Sequence, residues 1–283
     1  LRVIGLEKRY EACESARHRP FVCLKGLPML SFRPFAAALL ALTLISAPGA
    51  ASAQKFSDEQ RGEIERIIKE YLVSHPEVLE EASDELSKRQ AKTTAEKHQA
   101  AISDNAEAIF NSPRGVAIGN KNGDVTLVEF FDYNCGYCKR AMTDMLELLK
   151  EDSKLKVVLK EFPVLGPPSV EAAQVAIAVR MQDPGSKKYL DFHQKLMGGR
   201  GQADKARAIA AAKDAGFDMA RLEKDMASPE VRATIEESFK LAESMGMNGT
   251  PSYVIGKQVV VGAVGLDILR QKVAIARCGK EKC

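Results

Sequence analysis

The chain has 283 residues, 45% of them hydrophobic and 28% charged. That is enough apolar surface for one full domain and a smaller unit, which excludes a chain kept unfolded by its composition. The formal net charge of +3 arises in the first 53 residues, with 7 Lys/Arg against 3 Asp/Glu; the rest holds 34 against 35, which excludes a basic nucleic-acid-binding surface as the meaning of the charge.

In chain order, Met29 to Ala53 reads as a secretory signal peptide. Arg33 lies in a short head, Phe35 to Ala47 is apolar, and Ala51-Ser52-Ala53 is a small-residue cleavage site before Gln54. The apolar run is short for a membrane anchor. Residues 1–28, with Cys13 and Cys23, read as a non-native upstream extension. Export of bacterial type predicts the periplasm, an oxidising compartment, for a mature chain with Cys135, Cys138, Cys278 and Cys283.

Residues 54–112 read as a helical region. Ser57-Asp58-Glu59-Gln60 is a capped helix start, followed by apolar residues at helical spacing: Ile64, Ile67, Ile68, Tyr71 and Leu72. Ser74 and Glu77 have capping-box spacing around Pro76. A second helix then carries Val78, Leu79, Ala82, Leu86, Ala91, Ala95, Ile102 and Ile109 toward Asn111-Ser112-Pro113. Run continuously, about 34 residues would span roughly 50 Å. A narrow apolar stripe on so long a helix needs a partner. We expect an oligomerisation stalk over residues 56–110, making a homodimer or homotrimer; the alternative is packing on its own domain.

Residues 113–283 read as an α/β domain. VTLVEFF, residues 125–131, is the run of a strand buried on both faces, and LKVVLKEF from Leu155 is the next strand. The helix between them carries Met142, Leu146 and Leu149. A helical insertion over about 167–247 follows. SYVIG and QVVVG form a hairpin around Gly256-Lys257, and Leu266 to Ala276 is the last helix.

Cys135 and Cys138 fall between the buried strand and the helix. A zinc site needs four ligands, and no histidine lies near this pair in sequence; a four-residue structural disulfide loop gains little. The redox reading fits the placement. At a helix N-terminus, unpaired N–H groups and the helix dipole favour the Cys135 thiolate as nucleophile, with Cys138 as the resolving thiol. Glu129, in the middle of a buried strand, is a candidate proton acceptor with a raised pKa, and Lys160 is a candidate partner for it. Gly136 and Tyr137, between the cysteines, are expected to contact substrate. So are Thr250 and Pro251 at a strand entrance, where the residues alone leave a cis and a trans bond open. Cys278 and Cys283 are expected to form a small local disulfide. No metal and no cofactor is expected. Thiolates with Met142, Met145, Met245 and Met247 leave copper(I) handling as an alternative.

Together, VEFFDYNCGYCK, EFPVLGPPS, the helical insertion and GTPSYVIG resemble the DsbA-like branch of the thioredoxin superfamily. The resemblance implies a thioredoxin fold with a helical insertion, redox chemistry at Cys135 and Cys138, the buried acid at Glu129 and a cis bond at Thr250-Pro251. The segment DEQRGEIERIIKEYLVSHPEVLEEASDEL is similar to the start of suppressor-of-copper-sensitivity C proteins. That implies an oligomeric disulfide isomerase or reductase acting on exported proteins and held reduced by a membrane partner. A dithiol oxidase of the DsbA type is the near alternative, identical in motif and different only in which redox state is populated; Gly-Tyr stands where DsbA itself has Pro-His, a departure that leaves the redox poise open.

Overall fold

Helix α1, Asp58–Ser74, begins on the serine cap that the sequence predicts, and the cap is reciprocal. Gln60 N–H donates to Ser57 Oγ (3.2 Å) and Ser57 N–H to Gln60 Oε1 (2.9 Å). The computed structural model describes residues 56–183 and 187–283, so the expected leader, its cleavage site and the upstream extension lie outside the described residues.

The second cap, Ser74 with Glu77, does not form. His75 N–H donates to Tyr71 O (2.8 Å), so α1 runs through Ser74 and uses it as a helical residue. Helix α2, Glu77–Asp104, starts after Pro76 with no side-chain cap. The helix also stops earlier than the stripe suggested. Asn105 donates to Ala101 O from both its backbone N–H and its Nδ2 (3.2 and 2.8 Å), and a separate helix α3, Ala106–Phe110, follows. An asparagine that bonds its own backbone competes with the helical ladder. The stripe divides as well. Ile64, Ile67, Ile68, Tyr71, Leu79 and Leu86 are exposed, whereas Ile102 and Ile109 are buried in the core of their own domain.

The sheet has five strands: β1 (Val116–Gly119), β2 (Val125–Phe131), β3 (Leu155–Glu161), β4 (Ser252–Ile255) and β5 (Gln258–Val261), in the order β1-β3-β2-β4-β5. Central β2 and β3 are parallel and joined by α4, Gly136–Glu151; the other pairings are antiparallel. Alternation sends Leu127, Glu129 and Phe131 to one face and Val128 and Phe130 to the other. The first face is covered by α4, by α10 (Leu266–Cys278) and by helices of the insertion, which comprises α5 (Pro167–Gln182), α6 (Lys187–Gly198), α7 (Lys205–Asp214), α8 (Met219–Met226) and α9 (Pro229–Ser244). The opposite face packs on α9, α3 and the end of α2. Cys278, the last residue of α10, is disulfide-bonded to Cys283. Among the described residues, no helix is long and apolar enough to cross a membrane.

The same alternation corrects the expected Glu129–Lys160 pair. Lys160 is in register with Phe130, not with Glu129, so the two side chains leave opposite faces of the sheet. Lys160 is 1% exposed and pairs with Glu237 of α9 (Nζ to Oε1, 3.1 Å), which also accepts from Ser112 Oγ (2.6 Å) and Arg114 Nη1 (3.0 Å). Removing one partner of a buried pair leaves an uncompensated charge, so Glu237→Ala should cost about 3–5 kcal/mol in urea unfolding. The double variant Lys160→Met/Glu237→Leu should recover most of it. A loss below about 1 kcal/mol in the single variant would contradict this account of the hub.

Candidate active site

Strand β2 ends at Phe131, and Asp132, Tyr133 and Asn134 carry the chain to Cys135, the N-cap of α4. Its backbone is extended (φ −78°, ψ 115°), so its carbonyl opens the helical ladder, accepting from Lys139 N–H at 3.1 Å. The thiol therefore stands beside the unpaired N–H groups of the first turn. Its sulfur donates to Thr250 O at 3.2 Å, and the Thr250–Pro251 peptide bond that follows is cis.

Cys138 lies one turn into α4 and is fully buried. Both thiols are free. Burial pushes the Cys138 thiol far above its ordinary value, and the charges of Glu129 and Cys135 push it the same way; contacts with the Asp132 backbone and the Thr250 side chain oppose the shift. Glu129 is 3% exposed, as a carboxylate in the middle of a buried strand must be. Burial raises its carboxyl to about 8, with a smaller push from Asp144. Tyr253, in register with Glu129 on β4, is buried with them and held neutral by desolvation.

The fold thus gathers Cys135, Cys138, Glu129, Thr250 and Pro251. Gly136 opens α4, and Tyr137 is 59% exposed, with the Arg140 guanidinium 4.5 Å from its ring centre. The four candidate methionine ligands do not converge. Met142 and Met145 pack on the face of the sheet that carries the cysteines, whereas Met245 and Met247 are in the core on the other face. Among the described residues, no three His, Cys, Asp or Glu side chains form a metal-ligating group.

The sequence reading missed a second polar cluster beside the site. Tyr133 Oη lies 3.2 Å from His193 Nδ1 and 3.4 Å from Tyr189 Oη, and Tyr189 donates to Glu161 Oε1 at 2.8 Å. Burial raises the Glu161 carboxyl to about 8 and lowers His193 to about 3, so His193 is neutral. Asp132 and Asn134 are satisfied by residues of the loop after β3, the first turn of α5 and the segment between α6 and α7. The available signal was the polar run Asp-Tyr-Asn between a buried strand and a buried helix, because polar groups so placed require partners.

The DSBA-like thioredoxin domain family matches residues 126–274, and the copper resistance protein ScsC N-terminal domain matches residues 60–92. Among solved structures, a thioredoxin-like oxidoreductase from Silicibacter pomeroyi DSS-3 is 43% identical with a TM-score of 0.57, over 60% of this chain and 96% of that one. ScsC from Proteus mirabilis in a transitional conformation is 29% identical with a TM-score of 0.58, over 79% of this chain and 98% of that one. The thiol:disulfide interchange protein DsbA of Bordetella pertussis is 25% identical over 146 residues, 50% of this chain and 68% of that protein. The chain also matches the Na(+)/H(+) antiporter NhaA 1 of Salinispora arenicola, 25% identical over 163 residues, and there it spans only 24% of the antiporter's length.

Proposed function

The chain belongs to the family of DsbA-like thioredoxin domains, and from that premise we propose that it is a thiol-disulfide oxidoreductase of exported proteins, chiefly a disulfide isomerase, working through Cys135 and Cys138. The observation that carries the proposal is the sulfur of Cys135. It stands on the N-cap residue of α4, touches Thr250 O at 3.2 Å beside a cis proline, and has a buried second thiol one turn behind it.

The chemistry follows from that arrangement. The Cys135 thiolate attacks one sulfur of a substrate disulfide. A Cys135–substrate S–S bond forms, the substrate bond breaks, and its other sulfur leaves as a thiolate that takes a proton from water. The backbone at Thr250-Pro251 and the exposed Tyr137 flank the extended substrate segment. In isomerisation the freed thiolate attacks elsewhere in the substrate, and a substrate thiolate finally displaces Cys135, with no net transfer of electrons. In the escape route Cys138 gives its proton to the Glu129 carboxylate and attacks the Cys135 sulfur. The substrate leaves as a thiol, and two electrons pass from the dithiol to the substrate.

Several features support the wider reading. The signal-like segment over 29–53 suits a periplasmic protein. The exposed row Ile64, Ile67, Ile68, Tyr71, Leu79 and Leu86 suits contact between copies, and the match of residues 60–92 to the ScsC N-terminal domain agrees with it. A chain that isomerises must be kept reduced, which calls for a reductant, and a membrane-held one fits an exported protein.

The test is reactivation of scrambled ribonuclease by catalytic amounts of the reduced protein, with Cys135→Ser as the blank. The proposal predicts recovery clearly above the blank. Absence of recovery, together with rapid oxidation of reduced ribonuclease by the disulfide form, would replace isomerase by oxidase.

A further inference from the structure

The three residues before Cys135 are held by the helical insertion and the loop that leads into it. Asp132 Oδ2 accepts N–H groups from Val164 (2.9 Å) and Leu165 (3.0 Å), and its Oδ1 accepts from Asn134 N–H (2.8 Å) and the Ser169 hydroxyl (2.7 Å). The Asn134 amide donates to Ser169 Oγ (3.0 Å) and Ala203 O (2.8 Å) and accepts from Ala203 N–H (2.7 Å). Tyr133 between them points into the cluster with Tyr189 and His193 of α6. Cys135 N–H in turn donates to Asp132 O at 3.1 Å. The anchors of the Asp132 and Asn134 side chains in the rest of the fold lie in three separate places: the loop after β3, the first turn of α5, and the segment between α6 and α7.

We propose that Asp132 and Asn134 are positioning residues for Cys135, fixing its sulfur against the Thr250 carbonyl by tying the approach segment to the insertion. The inference rests on the reading of Cys135 as nucleophile given above. The physical reason is leverage. Asn134 is bonded through its peptide to the N-cap, so any freedom at Asn134 passes directly to the direction of the sulfur. Asp132 holds both the Asn134 N–H, through its side chain, and the Cys135 N–H, through its carbonyl. A reacting atom displaced by about 1 Å loses on the order of 100-fold in rate, so a loosened approach segment should slow exchange without removing either cysteine. These contacts also give the insertion a role in the chemistry beyond covering the sheet.

The experiment compares reduced wild type, Asn134→Ala, Ser169→Ala and Asp218→Ala. Asn134→Ala deletes three bonds of the clamp, and Ser169→Ala deletes the hydroxyl that bridges both positioning side chains. Asp218→Ala removes the cap of α8, where its side chain accepts from Arg221 N–H, and leaves the clamp untouched. Each protein is mixed with glutathione disulfide, acid-quenched, and its mixed disulfide or intramolecular disulfide counted by intact mass; Tm is measured alongside. In the step read out, Cys135 takes one glutathionyl sulfur and one reduced glutathione is released. The expected result is an exchange rate lowered about tenfold in Asn134→Ala and Ser169→Ala, and within twofold of wild type in Asp218→Ala despite a comparable fall in Tm. Wild-type rates in both clamp variants would overturn the inference, as would equal slowing in Asp218→Ala. If wild type itself failed to exchange, the nucleophile assignment would fall first and this inference with it, a result distinct from the other two.

Discussion

Cys138→Ser is expected to stop the reaction after its first step. The variant should form a mixed disulfide through Cys135 at a rate within a few-fold of wild type and then hold it, because the thiol that would attack from within is gone. Cys135→Ser should form none, with exchange lowered at least about 1,000-fold, because the remaining Cys138 thiol is buried and its pKa is pushed far up. The asymmetry comes from position in one helix. Residue 135 is the cap and meets a substrate at the Thr250 carbonyl, whereas residue 138 is a turn deeper with no exposed surface. Intact mass after mixing with a disulfide-bonded peptide reads both outcomes. Equal trapping by the two variants would contradict the assignment of roles.

Glu129→Gln should slow release of the mixed disulfide by about 10- to 100-fold at pH 8, the usual size of a lost proton acceptor. It should also flatten the pH profile of that step. With the Glu129 carboxyl raised to about 8, the carboxylate fraction grows through that pH, so wild-type release should quicken from pH 6 to 9 and the variant should lose this rise. Stability should move the other way. A carboxyl whose folded pKa is raised keeps its proton longer in the folded state, so its contribution falls as pH climbs from its ordinary 4.5 toward 8. Glu161, raised to about 8, adds a second loss over the same window. His193, lowered to about 3, acts in the opposite sense: its contribution is complete above 6.5 and lost as pH falls toward 3. For these three groups taken together, stability is greatest at about pH 4.5. Glu129→Gln removes one of the two losses, so the variant should gain up to about 3 kcal/mol relative to wild type at pH 7 and little near pH 4.5. Urea titrations at the two pH values measure this. A variant equally shifted at both, with release unchanged, would make Glu129 a packing residue.

Local chemistry was legible where one segment decides it. The buried run VTLVEFF ends just before the cysteines, and that alone places Cys135 at a helix start and Glu129 inside a strand. The Ser57–Gln60 cap lies within four residues, and the sequence carries both halves of it. Reading failed where distant residues or competing local bonds decide. Ser74 is drawn into α1 by one more backbone bond, and Asn105 breaks the long helix with no Pro or Gly to signal it. Lys160 was assigned to Glu129 by proximity along the strands, although the period of two sends it to the other face and to Glu237, 77 residues away. The partners of Asp132 and Asn134 lie 32 to 69 residues further on, so their polarity was visible but their purpose was not.

Everything proposed for this protein depends on Cys135 and Cys138 forming an exchange-competent dithiol. The most direct test of this is reaction of the reduced protein with glutathione disulfide, followed by peptide mapping of every cysteine. One new disulfide, Cys135–Cys138, should form with release of two reduced glutathiones and be absent from Cys135→Ser. A protein whose Cys135 and Cys138 thiols both stay reduced would contradict it.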